Sequence, residues 1–551
     1  MSRLWQRQLD SYPSTGKRMW YLMIVVLATV LLYYEFYTQG AVAPEILRQY
    51  GMSFHFYVYI TVVANAVGAF ASVIAGLADR WGRANLVAYG LAITGLLVLF
   101  GIPNAPNAWT YAAIVVAIGF VEGIILVATP ALVRDFSPQL GRASAMGFWT
   151  LGPVIASLIV SEVASHTLTH LHAWQDQFTI CGLAGIGVFL LALFGLRELA
   201  PNLRDQLMVS VRDRALVEAK AAGLDVESML EKPWRQMLRP DIILGAFAIS
   251  TFLIIYFTAV GFNVVYFQTV FGFSTANANG IGNWWWSFNA LALVIVGVLS
   301  DKARVRKPFM VFGCLGTIAM TIVYLGYATH PHTGYYTLVL TVSVLAAFMG
   351  FAYAPWMAAY TETVERRNPA LIATGLAVWG WVIRAVVAIS ILILPVVITS
   401  VTPLVEHGPL GQKAQAIEKS DPLIKTVIAH PALFAQLAKH PSTAEPPALL
   451  KKAIAEVGLP KLLAISKDTK IKSEAAFFTK NAATLTSVEK AAATTPHQWQ
   501  DWYWVCVGGE VLFLPFMLVL GGRWRPKRAR QDAEEHEKKV AEELAALQAA
   551  N

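Results

Sequence analysis

Apolar windows of about 20 residues recur along the chain, and a window of that length predicts a membrane-spanning helix. They cover 19–43, 55–77, 86–103, 109–133, 144–164 and 177–197, then 241–269, 279–300, 307–328, 335–360, 370–399 and 502–522. We number these segments span 1 to span 12. Twelve helices in two groups of six are the simplest count, so the pattern predicts an all-α membrane protein.

Two long polar segments interrupt this series. Residues 198–240 lie between the two groups, and their mixed charge and helical periodicity predict a linker with one or two amphipathic helices. Residues 401–500, between spans 11 and 12, are rich in Ala and Lys, with helical apolar spacing broken by prolines. This pattern predicts a small helical cap, which we interpret as a structural lid in preference to a binding module. The predicted division is an N-terminal segment 1–18, a bundle 19–197, a linker 198–240, a second bundle 241–400, the loop 401–500, a last helix 501–523 and a tail 524–551.

The composition agrees with a membrane protein. The 551 residues are 56% hydrophobic and 14% charged, and the mean hydropathy is +0.52. The net charge of +8 does not indicate nucleic-acid binding, because Lys and Arg cluster at the ends of apolar segments. Cys181, Cys314 and Cys506 all fall in apolar segments, so we expect neither a disulfide nor a zinc site.

Basic residues in the short loops predict the orientation. Loops on one side carry Arg80, Arg83, Arg134, Arg142, Lys302, Arg304, Arg306, Lys307, Arg366 and Arg367. Loops on the other side carry only Arg48. By the positive-inside rule the basic side faces the cytoplasm, which places both termini inside and residues 401–500 outside. We expect a multi-pass protein of a bacterial cytoplasmic membrane, in which span 1 is retained and not cleaved as a signal peptide, because Pro44 follows the candidate cleavage site.

Short motifs connect the spans on the basic side. The stretch "GLADRWGRA" follows span 2, and a weaker copy, "GVLSDKARVRKP", follows span 8. Two such stretches at equivalent places in a six-plus-six chain resemble the signature of the major facilitator superfamily. "VRDFSPQLGRASAMG" resembles the same family's loop after its fourth helix, and "GFNVVYF" in span 7 is similar to its sugar and metabolite porter branch. The positions that match the gating loops are Gly76, Asp79, Arg80, Gly82, Arg83, Asp135, Arg142, Asp301 and Arg306.

The resemblance implies a particular architecture and mode of action. Two pseudo-symmetric six-helix bundles rock about a central site and expose it alternately to either side of the membrane. Spans 1, 4, 7 and 10 would line the cavity, spans 2, 5, 8 and 11 would form the gates, and spans 3, 6, 9 and 12 would support them. No cofactor is implied.

Four ionisable residues lie within the predicted spans, namely Glu35, Glu122, Arg384 and Glu510. Each costs about 2.5 to 3.5 kcal/mol in a bilayer, so each should face protein or water. Glu35 shares a helix face with Thr38 and Gln39, which predicts a proton carrier or a substrate contact. For Glu122 proton handling and structural pairing both stay open, whereas Glu510 on a support helix is interpreted as structural.

Arg384 cannot lose its charge, so it requires an acidic partner or an anionic ligand. It could pair with Glu35 or Glu122, or it could receive a substrate carboxylate. If both occur in turn, substrate binding would release the acid to take up a proton. The further cavity candidates are Thr38, Gln39, Asn263, Tyr266, Asn289 and Trp381.

The leading hypothesis is a proton-coupled secondary transporter, not an enzyme, that moves a small polar or anionic organic solute through the lipid bilayer. The absence of a GxxxxGK(S/T) loop disfavours an ATP-driven pump. Gly152-Pro153 in span 5 keeps open an exporter of hydrophobic compounds. A sensor or scaffold that binds a partner protein through residues 401–500 is the second alternative.

Overall fold

The structure is a computed structural model. It describes residues 5–74, 82–137, 151–200, 203, 233–368, 372–420, 422–439, 447–467 and 469–532, with single positions up to 542. Helices dominate this part of the chain, and a single pair of two-residue strands accompanies them.

The first half contains spans 1 to 6. Span 1 is the helix Thr15–Ala41, and a short helix, Ala43–Tyr50, follows it. Spans 2, 4, 5 and 6 are the helices Phe54–Ile74, Ala108–Phe136, Gly152–Thr167 and Gln175–Gly195. Span 3 is the helix Arg83–Leu96, which continues as the π-helical turn Leu97–Gly101.

The second half starts with the short helix Pro233–Met237. Span 7 consists of two helices, Pro240–Phe252 and Ile254–Phe271, interrupted at Leu253. Spans 8 to 11 are the helices Thr275–Ala303, Lys307–Tyr327, Tyr335–Arg367 and Ile372–Val397. Span 12 forms the end of the long helix Thr469–Phe516.

Ten helices of the described chain are long and apolar enough to cross a membrane, and they correspond to spans 1 to 4 and 6 to 11. The helix of span 5 has only 16 described residues. The helix of span 12 ends at Phe516, so the apolar residues Met517, Leu518, Val519 and Leu520 lie beyond it. Both remain helices in the structure, which fits a bundle larger than ten.

The helix contacts follow a pseudo-twofold pattern. In the first half span 4 packs on spans 2 and 3, and in the second half span 10 packs on spans 8 and 9. Between the halves span 5 contacts span 8, and span 11 contacts span 2. Exchanging the halves converts each of these contacts into its equivalent, as expected for two related bundles.

Small residues allow the closest of these approaches. A Cβ atom at Gly119 would lie 2.7 Å from the carbonyl oxygen of Ala64, and one at Gly68 would lie 2.7 Å from that of Gly119. Glycine therefore lets spans 2 and 4 meet backbone to backbone, the usual way in which helices associate in lipid.

The chain before span 1 is bound to the chain after span 6. Strand β1 (Gln8–Leu9) pairs in parallel with β2 (Glu198–Leu199). The buried Arg7 donates to the carbonyl oxygen of Ala192 at 2.9 Å, and Asn85 donates to that of Trp5 at 2.9 Å. Both ends of the first half therefore lie on the same side, as an even number of spans requires.

Residues Thr399–Gln498 form a second compact unit. It contains the helices Val401–Ser420, Pro422–Ala429, Pro431–Lys439, Pro447–Val457 and Leu459–Lys467, and the start of Thr469–Phe516. Three of them begin with proline, whose fixed φ and missing N–H suit the first turn of a helix. Its core includes Ile424, Phe434, Ala453, Ile465 and Leu485.

Candidate functional site

Glu122 and Arg384 approach each other between the two halves. Glu122 in span 4 is 6% exposed, and its carboxylate interacts electrostatically with the guanidinium of Arg384 in span 11. Within the described chain no acid lies within the 4.0 Å limit of an ion pair with Arg384. The opposite charges of Glu122 and Arg384 therefore interact without forming an ion pair, so the guanidinium is able to bind an anion.

Tyr33 and Tyr37 interact with Glu122, and two further tyrosines interact with Tyr33. Tyr33 of span 1 interacts with Glu122 and with Arg384. Tyr37 lies one turn further along the same face, and its ring centroid is 5.4 Å from that of Tyr33. Tyr256 of span 7 and Tyr353 of span 10 both interact with Tyr33. Spans 1, 4, 7, 10 and 11 therefore direct polar groups toward one central site.

A cavity of about 30 Å³ lies next to Tyr37. Spans 1, 5, 7 and 8 line it, and its polar wall includes Tyr37, Ser157, Asn263 and Asn279. Asn263, one of the residues expected from the sequence, is 9% exposed there. The cavity has room for a few water molecules at most, so the site is nearly closed toward this end.

The two halves are joined beyond this cavity, at the end opposite the basic loops, which we call the outer end. Asn279 donates to the carbonyl oxygen of Ala41 at 2.9 Å, and Asn283 donates to the hydroxyl of Ser165 at 2.9 Å. The hydroxyl of Thr275 donates to Glu45. These bonds cross from one half to the other, so the structure is closed at the outer end.

Glu45 contributes a pH-sensitive group to this closure. Burial raises the pKa of its carboxyl group, and the hydrogen bond from Thr275 and the charge of Arg48 act in the opposite direction. Because the buried environment favours the protonated acid, the closed outer end binds this proton more tightly than an open, hydrated one.

Glu35 lies on the face of span 1 opposite Tyr33 and Tyr37, because residues two apart on an α-helix are separated by about 200°. It is 2% exposed and faces span 3 and Gly185 of span 6. Thr94 lies beside it but donates its hydroxyl to the carbonyl oxygen of Leu91. Neither carboxyl oxygen of Glu35 has a hydrogen-bond partner within the described chain. Its charge still interacts with that of Glu122.

Thr38, Gln39 and Asn289 form hydrogen bonds with groups other than Glu122 and Arg384. Thr38 donates to the carbonyl oxygen of Tyr34 at 2.7 Å, and Gln39 accepts from Tyr111 at 3.5 Å. Asn289 donates to the carbonyl oxygen of Ala346 at 2.9 Å, inside the second half. Trp381 is 59% exposed.

Two further polar residues occupy the interior of the second half. Tyr266 packs among Tyr324, Trp499 and Tyr503. Glu510 accepts a 2.8 Å hydrogen bond from Thr321 of span 9. Both contacts connect spans of one bundle, and the structural role of Glu510 stays a prediction.

Comparison with known proteins assigns the family. The family model of the Major Facilitator Superfamily matches residues 25–395. The chain belongs to the major facilitator superfamily. It is therefore an integral multi-pass membrane protein, in agreement with the apolar windows and the paired loop motifs.

Curated relatives of this facilitator transport anionic solutes according to their names. It is 25% identical to the hexuronate transporter of Escherichia coli K12 over 169 residues, which is 30% of this chain and 38% of the relative. It is 25% identical over 303 residues to the probable anion transporter 3, chloroplastic, of Arabidopsis thaliana, which is 50% of this chain and 56% of the relative. The matches thus span about two fifths to about half of the relatives' length.

Solved structures share the fold of this facilitator. An inward-facing bacterial homologue of the human lysosomal transporter Spinster has a TM-score of 0.55 at 15% identity, and the match covers 92% of this chain and 99% of that one. The D-xylose–proton symporter has a TM-score of 0.51 at 14% identity, over 68% of this chain and 96% of that one. At these identities the likeness concerns the fold alone.

The facilitator has equivalent ionic networks at the basic ends of its two halves. Arg83, before span 3, forms a 2.8 Å ion pair with Asp135 at the end of span 4. Arg306, before span 9, donates to Glu362 at the end of span 10 at 3.0 Å and contacts Asp301 at 2.5 Å. Gly82 has φ of 84°, and Glu198 accepts the next backbone N–H, that of Arg83, at 2.7 Å. The candidates Gly76, Asp79, Arg80 and Arg142 lie outside the described residues.

The sequence prediction did not include Tyr33, Tyr37, Tyr256, Tyr353, Glu198 or Glu362 among the functional residues. Tyr33 and Tyr37 had a visible signal, since their spacing of four places two hydroxyl groups on one helix face. Glu362 also had one, because its segment is the second-half counterpart of the segment that contains Asp135. For Tyr256 and Tyr353 the sequence carried no signal that separates them from other aromatic residues in apolar spans.

Proposed function

We propose that this facilitator is a proton-coupled transporter of small organic anions, in which Arg384 binds the anionic group and Glu122 carries the proton. The single observation that supports the proposal most is the proximity of Glu122 and Arg384 without an ion pair, between the two halves. Arg384 is only partly buried, so its guanidinium is accessible to a solute, and its planar fork matches a carboxylate.

Proton coupling follows from competition for Arg384. With an empty site, the guanidinium stabilises the ionised form of Glu122. A bound substrate carboxylate neutralises Arg384, and Glu122 then lies in a buried site without an effective counter-charge, so protonation becomes favourable. The nearby charge of Glu35 acts in the same direction, because like charges disfavour the ionised form. Substrate and proton therefore bind together.

The tyrosines supply the polar contacts that an organic anion needs besides its charge. Tyr33, Tyr37, Tyr256 and Tyr353 bring hydroxyl groups and ring faces to the site from both halves. Sugar acids combine a carboxylate with hydroxyl groups and apolar ring faces, so they fit this set well. The names of the hexuronate and anion transporters agree with this class of substrate.

The proton gradient supplies the free energy. Co-transport of one proton with one monovalent anion moves no net charge, so the membrane potential does not drive it, whereas a pH difference of one unit provides about 1.4 kcal/mol, or about a tenfold solute gradient. We place the transporter in a bacterial cytoplasmic membrane with both termini inside, on the basis of the basic loops. The closed end of the structure would then be the extracytoplasmic one.

Ligand binding to the purified full-length transporter tests the role of Arg384. We expect glucuronate to bind and glucose to bind much more weakly, as measured by calorimetry. Arg384→Ala should weaken glucuronate binding about tenfold or more, since it removes a hydrogen bond between charged groups. The surface variant Arg525→Ala serves as the matched control and should bind normally. Equal binding of glucuronate by Arg384→Ala and the parent would contradict the anion site and favour the exporter of hydrophobic compounds.

A further inference from the structure

The unit Thr399–Gln498 exposes apolar side chains that do not pack in its own core. Leu450, Leu459 and Leu463 are 42%, 49% and 49% exposed, although Ala453, Val457 and Ile465 of the same two helices are buried in the core. Leu459 and Leu463 are four residues apart and form one stripe along the helix Leu459–Lys467. The hairpin of the two helices thus has a core-facing side and a second apolar side in water.

Lysines border these leucines. The exposed basic residues of the hairpin are Lys451, Lys452, Lys461 and Lys467, whereas Glu456 is its one acid. The ion pair that Lys452 makes with Glu456 has a 3.9 Å separation, at the limit of an interaction. We call Leu450, Lys451, Leu459, Leu463 and Lys467 the leucine–lysine face. Exposed leucines flanked by lysines are the composition of helices that lie at the surface of a membrane.

The connectivity of the chain supports a membrane surface as the occupant. Residues Thr399–Gln498 are attached through span 11 at one end and span 12 at the other, so the unit cannot leave the neighbourhood of the bilayer. Its lysines complement anionic lipid headgroups in charge, and its leucines are long enough to reach the acyl boundary.

We propose that the leucine–lysine face docks on the anionic phospholipid surface of the membrane that contains the transporter. Lipid contact gives the exposed leucines an apolar environment and the lysines a negative one. This function is independent of substrate transport and needs no partner protein.

Site-directed fluorescence on the full-length protein tests the docking. Cys181, Cys314 and Cys506 are buried, so an environment-sensitive dye can be attached at Leu463→Cys in the otherwise native chain. The transporter is reconstituted into vesicles of phosphatidylcholine with or without phosphatidylglycerol, each with doxyl-labelled lipid as the quencher. The unsubstituted chain controls for background labelling. Ala483→Cys, an exposed position of the same unit outside the leucine–lysine face, is the matched control.

We expect strong lipid quenching of the dye at position 463 and little at position 483. Quenching at 463 should increase with phosphatidylglycerol and decrease with salt, because each lysine near an anionic surface contributes roughly a fivefold preference. Reversal of charge in Lys451→Glu/Lys467→Glu should remove most of the phosphatidylglycerol effect. These lysines are exposed, so the variant should fold, as its thermal unfolding would show.

Two results would overturn the proposal. The first is equal quenching at positions 463 and 483 in both kinds of vesicle. The second is a dye at position 463 that lipid does not quench and that becomes less accessible to water as the amount of protein per vesicle rises. That result would show that a second copy of the chain covers the leucine–lysine face.

Discussion

At the residue scale, the carboxyl group of Glu35 occupies space that span 6 provides by having glycine at position 185. A Cβ atom there would collide with the Glu35 side chain and would lie 3.3 Å from the Cα of Gly95. Because Glu35 is buried, its carboxyl group has little room to move. Position 185 thus links the support helices of the first half to span 1.

Gly185→Ala should therefore destabilise the protein by about 1–3 kcal/mol, the usual cost of overpacking a buried site. Gly187→Ala is the matched control in the same helix, since nothing lies within 4 Å of its added Cβ. It should be neutral or stabilise slightly, because alanine favours helix. Thermal unfolding of the purified variants measures both. Equal melting temperatures would contradict this packing, whereas a smaller loss for Gly185→Ala in a Glu35→Ala background would support it.

The sequence predicted the charged residues of the site better than the rotation of their helices. Glu122 and Arg384 stand out because each is an isolated charge in an apolar span. Span 1 has polar groups on two opposite faces, Glu35 with Thr38 on one and Tyr33 with Tyr37 on the other. Hydropathy cannot decide which face meets the central site, since both are compatible with burial. That choice depends on packing against spans 3 and 6, through Gly95 and Gly185 in particular.

At the element scale, span 1 and span 7 close the outer end by backbone contact. A Cβ atom at Gly40 would lie 2.5 Å from the carbonyl oxygen of Val260. The helix boundaries follow the apolar windows closely, as in Thr15–Ala41 for span 1. The interruption of span 7 at Leu253 was not predicted, because no Pro or Gly marks it. There Thr251 donates its hydroxyl to Ala248 and to Gly509 of span 12, a contact between distant segments that local sequence does not reveal.

Gly40→Ala should open the outer end, because the added methyl group separates span 1 from span 7. A cost of about 1–3 kcal/mol to the closed state would raise the outward-open population at least severalfold. Gly261→Ala, on the neighbouring residue of span 7, has nothing within 4 Å of its added Cβ and is the matched control.

Spin labels at Asn104→Cys and His332→Cys, on exposed loops of the two halves, report the distance across the outer end. Double electron–electron resonance should show a longer distance for Gly40→Ala only. An unchanged distance distribution would show that this glycine contact does not hold the outer end closed.

At the scale of the whole molecule, the two halves share a helix arrangement but carry different charged residues at the centre. Arg83–Asp135 and Arg306–Glu362 join equivalent spans at the basic end, yet the central charges are divided, with Glu122 in the first half and Arg384 in the second. A rocking motion changes the distance between the halves, so it also changes how strongly this acid and base interact. Under the proposed function, substrate charge, proton charge and conformation are thereby linked.

The central claim is that an organic anion and a proton cross together through Glu122. The most direct measurement is proton movement driven by solute, followed with an entrapped pH-sensitive dye in liposomes that contain the purified transporter. A gradient of glucuronate directed inward should acidify the lumen with the parent protein and with Glu35→Gln, but not with Glu122→Gln. Glucuronate uptake without acidification in the parent, or equal acidification with Glu122→Gln, would contradict the account.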